Sequence, residues 1–237
     1  APDRVVLTQP MGGGAVKDFT WREVTDQTRR LAAHLRGLGF APASRIGILA
    51  KNQAHWLIAD FAIWMAGHVS VPLYPTLAAG TVRQILEHSE AQLLFVGKLD
   101  GWDEMKAGVP AGLPIIRLPL SAAAEGAAWD DIMARTPPLQ GNPVRDGDEL
   151  STIMYTSGTT GMPKGVMHSF ATFAWSMAAV RKRLESDERS RILSYLPLSH
   201  VAERTVVEHN LLASSLHVFF AESLETFAFV FKDAAPT

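Results

Sequence analysis

The chain has 237 residues, 47% of them hydrophobic and 19% charged, with a formal net charge of −2. At that length roughly 70–75% of the unfolded surface is buried on folding, so a large core needs neither disulfides nor structural metal. The near balance of 22 basic and 24 acidic residues excludes a general field for nucleic acid or an anionic membrane, and the absence of cysteine excludes a disulfide framework and thiolate chemistry, with a cytoplasmic location expected.

The first predicted element is a helix opened by a capping box: Thr20 is followed three residues later by Glu23. Val24, Leu31, Leu35 and Leu38 mark its apolar stripe, and Gly37 and Gly39 supply the stop. Residues 46–50 have a strand's length, and Asn52 is the expected cap of an apolar helix over 53–67. That helix is broken by Asp60 and is far shorter than the ~20 residues a membrane span needs. A run over 69–73, ended by Pro72 and Pro75, is followed by a predicted helix over 81–89 and a strand over 92–96. Prolines at 110, 114, 119, 137, 138 and 143 make the next stretch connecting surface structure, with room for a strand over 114–118 and a short helix over 129–135.

Regularity returns with a strand over 151–155, a polar turn, and a helix over 169–184 whose last turn, Arg181-Lys182-Arg183, suits the helix dipole. A strand over 191–196, a helix from His200 to about Ala213, a strand over 216–221 and a helical stretch after Glu222 complete the pattern. Strands alternating with helices predict an α/β fold with mostly parallel sheets flanked by helices, and such folds bind ligands at the carboxyl ends of strands. The opening Ala-Pro-Asp-Arg has neither a charged n-region nor an apolar h-region, so no signal peptide is expected and the start reads as processed or trimmed.

The segment Tyr155-Thr-Ser-Gly-Thr-Thr-Gly-Met-Pro-Lys-Gly165 follows an apolar strand and is predicted to lead into a helix. Glycines let backbone N–H groups approach oxygen closely, hydroxyls add donors, and Lys164 adds a mobile cation, so the residue types suit an anion. A lone Gly-Thr-Thr-Gly fits a plain polar connection equally well; eleven residues in this order favour a phosphate cradle. The spacing is not that of a Walker A loop, since Lys164 stands between Pro163 and Gly165.

These eleven residues resemble, without a gap, the AMP-binding signature of the adenylate-forming superfamily of acyl-CoA ligases, peptide-synthetase adenylation domains and luciferases. Tyr195-Leu-Pro-Leu-Ser-His200 resembles that family's next core motif. Its continuation Val-Ala-Glu-Arg204, with Ser70-Val-Pro-Leu-Tyr-Pro-Thr76, resembles the long-chain acyl-CoA synthetases. The resemblance implies that Ser157, Gly158, Thr159, Thr160, Gly161 and Lys164 wrap the triphosphate of ATP. It implies further that Thr156 helps bind Mg²⁺ and that His200 sits beside the acyl carboxylate or adenylate, with His200 and Lys164 as the catalytic pair. Donors and cations there would neutralise the charge that develops when a carboxylate attacks the α-phosphate.

The expected substrates are a fatty acid, ATP and CoA, with no nucleic-acid partner. The expected fold is part of the large N-terminal domain of the acyl-CoA synthetase/luciferase-like type. In it, residues about 45–185 form one α/β subdomain, and 1–44 with 190–237 form part of a second. The remaining Mg²⁺ ligand, the ribose anchor and the small C-terminal domain are expected beyond Thr237, so the chain reads as an incomplete N-terminal piece, inactive alone. Two alternatives stay open: an adenylating enzyme for another carboxylate, and a nucleotide- or phosphate-binding module without turnover. His200, Glu203, Glu208 and His209 match neither zinc-protease spacing, so a hydrolytic zinc centre is not expected. Trp21, Trp56, Trp64 and Trp175 lie in apolar predicted helices and are expected in the core.

Overall fold

A hairpin that the apolar pattern does not announce opens the fold. β1 (Val5–Gly12) and β2 (Ala15–Thr20) pair antiparallel around Gly13-Gly14. Both glycines have positive φ, which a two-residue type I′ connection requires. The structure, a computed structural model, describes residues 1–123, 125–156, 162–221 and 234–237.

Thr20 then caps α1 (Trp21–Gly37): its hydroxyl accepts from the Glu23 N–H while the Glu23 carboxylate accepts from the Thr20 N–H, the expected capping box. Val24, Leu31 and Leu35 are buried, on the stripe read from the sequence. β3 (Arg45–Leu49) leads into α2 (Ala54–Ala66), where every residue but Met65 is buried. A helix apolar all round belongs inside a protein, and α2 packs against α1, β1, β3 and β4 (Val69–Leu73). The expected cap is corrected here. Asn52 is not the cap of α2; the Ala54 N–H is met at 2.9 Å by Gln9 Oε1, reaching over from β1.

The chain continues through α3 (Ala79–His88), β5 (Leu93–Val96), α4 (Trp102–Met105) with a 3₁₀ turn over Lys106–Gly108, β6 (Ile115–Arg117), β7 (Ala127–Ala128) and α5 (Trp129–Arg135). β8 (Leu150–Thr156) and β9 (Lys164–Ser169) complete a seven-stranded sheet in the order β7-β6-β5-β3-β4-β8-β9, parallel except for β9. Pro72 does not end β4 but lies within it, opposite Ile48 of β3, beyond the Ser70–Thr152 pair that joins β4 to β8. Proline is tolerated where no ladder partner needs its N–H.

α6 (Phe170–Leu184), capped by the Ser169 hydroxyl, runs back along this sheet. Trp175 is 75% exposed, against the expectation of a core residue. A second sheet has the order β10-β11-β1-β2, from β10 (Arg191–Ser194) and β11 (His217–Phe220), both parallel to β1. Between them the predicted single helix is three pieces: α7 (Val201–Glu203), a π-helical segment over Arg204–His209, and α8 (Asn210–Ser214). The helical stretch expected after Glu222 falls on residues outside those described. Among the described residues no helix is long and apolar enough to cross a membrane.

Candidate active site at the carboxyl edge of the sheets

β3, β4 and β8 are parallel neighbours, so their carboxyl ends lie along one edge of the large sheet. β8 delivers Thr156 to that edge, where it pairs with Lys164, the first residue of β9. The segment expected to lead from a strand into a helix therefore leads from β8 into the antiparallel β9, and α6 starts only at Phe170. Phosphate binding cannot lean on that helix's amino terminus. Gly165, counted among the loop glycines in the sequence, lies inside β9, where a Cβ would come within 2.8 Å of Ile153 Cγ2; its bareness serves packing against Tyr155. Thr156 and Lys164 are both exposed. Among the described residues neither side chain has a hydrogen-bond or ion-pair partner, leaving a hydroxyl and a cation available to an anion.

The second sheet delivers His200 to the same edge. The segment 195–200 follows β10, and the His200 N–H closes a turn on the Pro197 carbonyl at 2.8 Å. His200 Nδ1 accepts from the Ala202 N–H at 3.1 Å as the cap of α7, so the neutral ring carries its proton on Nε2. The exposed imidazole meets Tyr74, just past β4, edge to face with centroids 6.5 Å apart. Asn52, just past β3, bonds the same segment: it donates to the Ser194 hydroxyl at 2.8 Å and to the Leu196 carbonyl, and accepts from the Leu198 N–H at 2.9 Å. Beside the segment a cleft of about 330 Å³ is lined by Leu193, Leu196, Ala202 and Val206, with Glu203 as its acid.

Glu203, 5% exposed, accepts at Oε1 from the Ser194 hydroxyl and the Tyr195 N–H, both at 2.9 Å. Burial pushes its carboxyl up to about 7. Arg204 points the other way and is fully buried. It pairs with Asp60 of α2 and, at 2.8 Å, with Glu208, and donates at 2.8 Å to the Thr152 hydroxyl of β8. The rings of Trp56, Trp64 and Phe173 surround its guanidinium at 5.3–5.6 Å. Burial holds the Glu208 carboxyl well above its ordinary range, against the pull of the Arg204 guanidinium. The triad ties α2, β8 and the π segment together four residues before Thr156.

The profile of the AMP-binding enzyme family matches residues 1–235. The chain belongs to this family. Long chain acyl-CoA synthetase 4 of Arabidopsis thaliana is 33% identical over 208 residues, covering 80% of the chain and 31% of that protein. The long-chain-fatty-acid–CoA ligase FadD15 of Mycobacterium bovis is 32% identical over 220 residues, 86% of the chain and 35% of that protein. The chain thus spans about a third of the length of these relatives. A benzoate CoA ligase from Burkholderia xenovorans LB400 superposes with a TM-score of 0.85 over the whole chain and 46% of its own, at 20% identity, a likeness of fold.

Within this AMP-binding chain, Thr156, Lys164 and His200 stand at the carboxyl edge. Ser157, Gly158, Thr159, Thr160 and Gly161 lie outside the described residues. The sequence reading missed Asn52, Tyr74 and Glu203 as members of the site. A signal was available for Asn52: an amide directly after a central parallel strand sits where α/β folds place ligands. Glu203 lies in the quoted Val-Ala-Glu-Arg204 motif, but its role is not local: its partners Ser194 and Tyr195 are defined by the return of α7 onto β10.

Proposed function

We propose that the complete protein activates a fatty-acid carboxylate with ATP and passes the acyl group to CoA. In the first step a carboxylate oxygen attacks the α-phosphorus, the bond to the β-phosphate oxygen breaks, and pyrophosphate leaves; in the second, the CoA thiol displaces AMP. The observation that carries this reading is the exposed side chains of Thr156 and Lys164, without a partner among the described residues, on either side of residues 157–161. Lys164 would neutralise triphosphate charge, and the His200 Nε2–H would donate to the acyl carboxylate or adenylate. The Thr156 hydroxyl fits one ligand of a Mg²⁺ arriving with ATP; among the described residues no acidic or imidazole cluster forms a metal site of its own. The largely apolar 330 Å³ cleft lined by Leu193, Leu196, Ala202 and Val206 favours an alkyl chain, since each buried methylene contributes about 0.8 kcal/mol. The division into a 45–185 subdomain and a second from 1–44 and 190–237 belongs to the same reading.

ATP–pyrophosphate exchange by the full-length protein, dependent on palmitate and not on benzoate or amino acids, is the expected result; exchange driven by an aryl or amino acid alone would replace the fatty-acid assignment. Lys164→Ala should lower kcat/KM for ATP on the order of 100-fold and leave Tm unchanged, because the side chain is exposed and makes no described contact. Thr156→Val keeps the β-branched shape of the strand end and removes only the oxygen. It should slow adenylate formation about tenfold at limiting Mg²⁺ and leave CoA transfer unchanged; equal single-turnover rates in wild type and variant would remove Thr156 from the metal.

A further inference from the structure

We propose that Asn52 and Glu203 are positioning residues for His200, fixing the backbone of the 194–198 segment and thereby the place of the imidazole at the sheet edge. This rests on the reading of His200 as the group beside the acyl carboxylate. Side-chain packing does not hold the start of the segment, because Tyr195 and Leu196 are 53% and 45% exposed. Hydrogen bonds hold it instead. The Tyr195 N–H goes to Glu203, and the Leu196 carbonyl and Leu198 N–H go to the two ends of the Asn52 amide. Ser194 joins the two holders, accepting from Asn52 and donating to Glu203. From Leu198 onward the placement rests on the core burial of Leu198, 1% exposed, on the turn closed by His200 on Pro197 and on the bond from Ala202 to the ring. Asn52 and Glu203 tie the start of the segment, the stretch that packing leaves open, to β3 and α7.

Two features separate this from general structural support. Asn52 stands where a cap for α2 is expected, yet Gln9 supplies that cap and all three described bonds of the Asn52 amide go to the His200 segment. Asn52 is half-buried at the site's rim but its partners Ser194 and Leu198 are buried, so the Tm of each variant is measured beside its rate to separate positioning from lost stability. The bonds from Ser194 and Tyr195 both end on Oε1 and the Leu196 N–H also reaches the carboxyl, so the segment needs an acceptor there and not a charge: Glu203→Gln keeps an acceptor oxygen and Glu203→Leu removes it. Asn52→Asp loses the donor to Leu196 and sets a carboxylate against its carbonyl.

The test is single-turnover adenylate formation by the full-length protein, with variants crossed against His200→Ala. Asn52→Ala, Asn52→Asp and Glu203→Leu should each slow adenylation on the order of tenfold, with KM for ATP within about twofold. Glu203→Gln should stay within about threefold of wild type. In the His200→Ala background Asn52→Ala should cost nothing further, because an effect that passes through a missing group disappears in the cycle. Additive losses in that cycle would reduce Asn52 to fold support and overturn the proposal. The ¹³C-labelled imidazole of His200, observed by NMR, keeps this test separate from the proposed activity. If wild type adenylates no carboxylate, the functional reading fails, while a shifted or broadened His200 signal in Asn52→Ala still supports positioning; an unchanged signal overturns it.

Discussion

Replacing Arg204 with alanine will destabilise the protein by about 3–5 kcal/mol, although the residue touches no part of the proposed substrate site. The guanidinium is fully buried and faces Asp60 and Glu208, both at 0% side-chain exposure. Removing it strands the Asp60 carboxylate among Trp56, Trp64 and Phe173, takes a donor from the Thr152 hydroxyl and opens a cavity between α2 and β8. A protein whose total stability is of order 5–15 kcal/mol feels such a loss as a large fraction of its margin. The cost belongs to broken pairing rather than to the pair's own strength, so replacing all three buried polar side chains together should recover much of it. Urea unfolding of Arg204→Met and of Arg204→Met/Asp60→Leu/Glu208→Leu makes the comparison, with the triple variant expected to be the more stable. A single variant losing less than about 1 kcal/mol would show the triad to be incidental.

The same cluster shows what the sequence could and could not convey. Asp60 appears there as an interruption of an apolar helix and Arg204 as part of a motif carried by resemblance; that the two meet depends on α2 and the π segment packing on one face of β8. Local signals were readable: the Thr20–Glu23 capping box, the parallel strands over 46–50 and 92–96, and Ser169 as the start of α6 all follow from side chains within a few residues. Three elements were misread for a physical reason. Residues 5–20 were given no strand because β1 and β2 have a hairpin's turn residues without clear alternation. Lys164–Ser169 looked like part of a turn because, as an edge strand, it leaves Val166 and Met167 exposed. Asn52 had an Asn's cap chemistry in the right place, but Gln9, 45 residues before Ala54, took the role. In each case the deciding partner lies on another strand.

Acid will unfold the protein in two regimes, a shallow one down to pH about 4.5 and a steep one below it. Burial pushes the imidazoles of His55 and His209 down to about 3 from an ordinary 6.5, so between those values the unfolded chain binds two protons that the folded chain does not. Each such proton lowers stability by about 1.4 kcal/mol per pH unit as pH falls. Half-buried His217, pushed down to about 4, acts in the same direction. Two buried carboxyls oppose them. Glu203, raised to about 7 from 4.5, and Glu208, raised well above 4.5, bind protons in the folded chain while still ionised in the unfolded one. Between pH 6.5 and 4.5 proton binding by Glu203 and Glu208 in the folded chain opposes that of the histidines in the unfolded one, while His34, His68 and His168, also held low by burial, act with His217. Below 4.5 the unfolded chain protonates its own acids, the opposition fades, and the His55 and His209 contributions, together about 3 kcal/mol per pH unit, are joined by the carboxylates that their partners hold low, Asp3, Asp103, Glu149 and Asp187. Urea unfolding from pH 7 to 3 should show that break. His55→Phe makes the attribution specific, because the ring lies edge-on to Phe19 and Trp129 at 5.3 and 5.0 Å, where a phenyl group can replace it. The variant should unfold with the low-pH slope reduced by about 1.4 kcal/mol per unit; an unchanged slope would mean that His55 is not the group being protonated on unfolding.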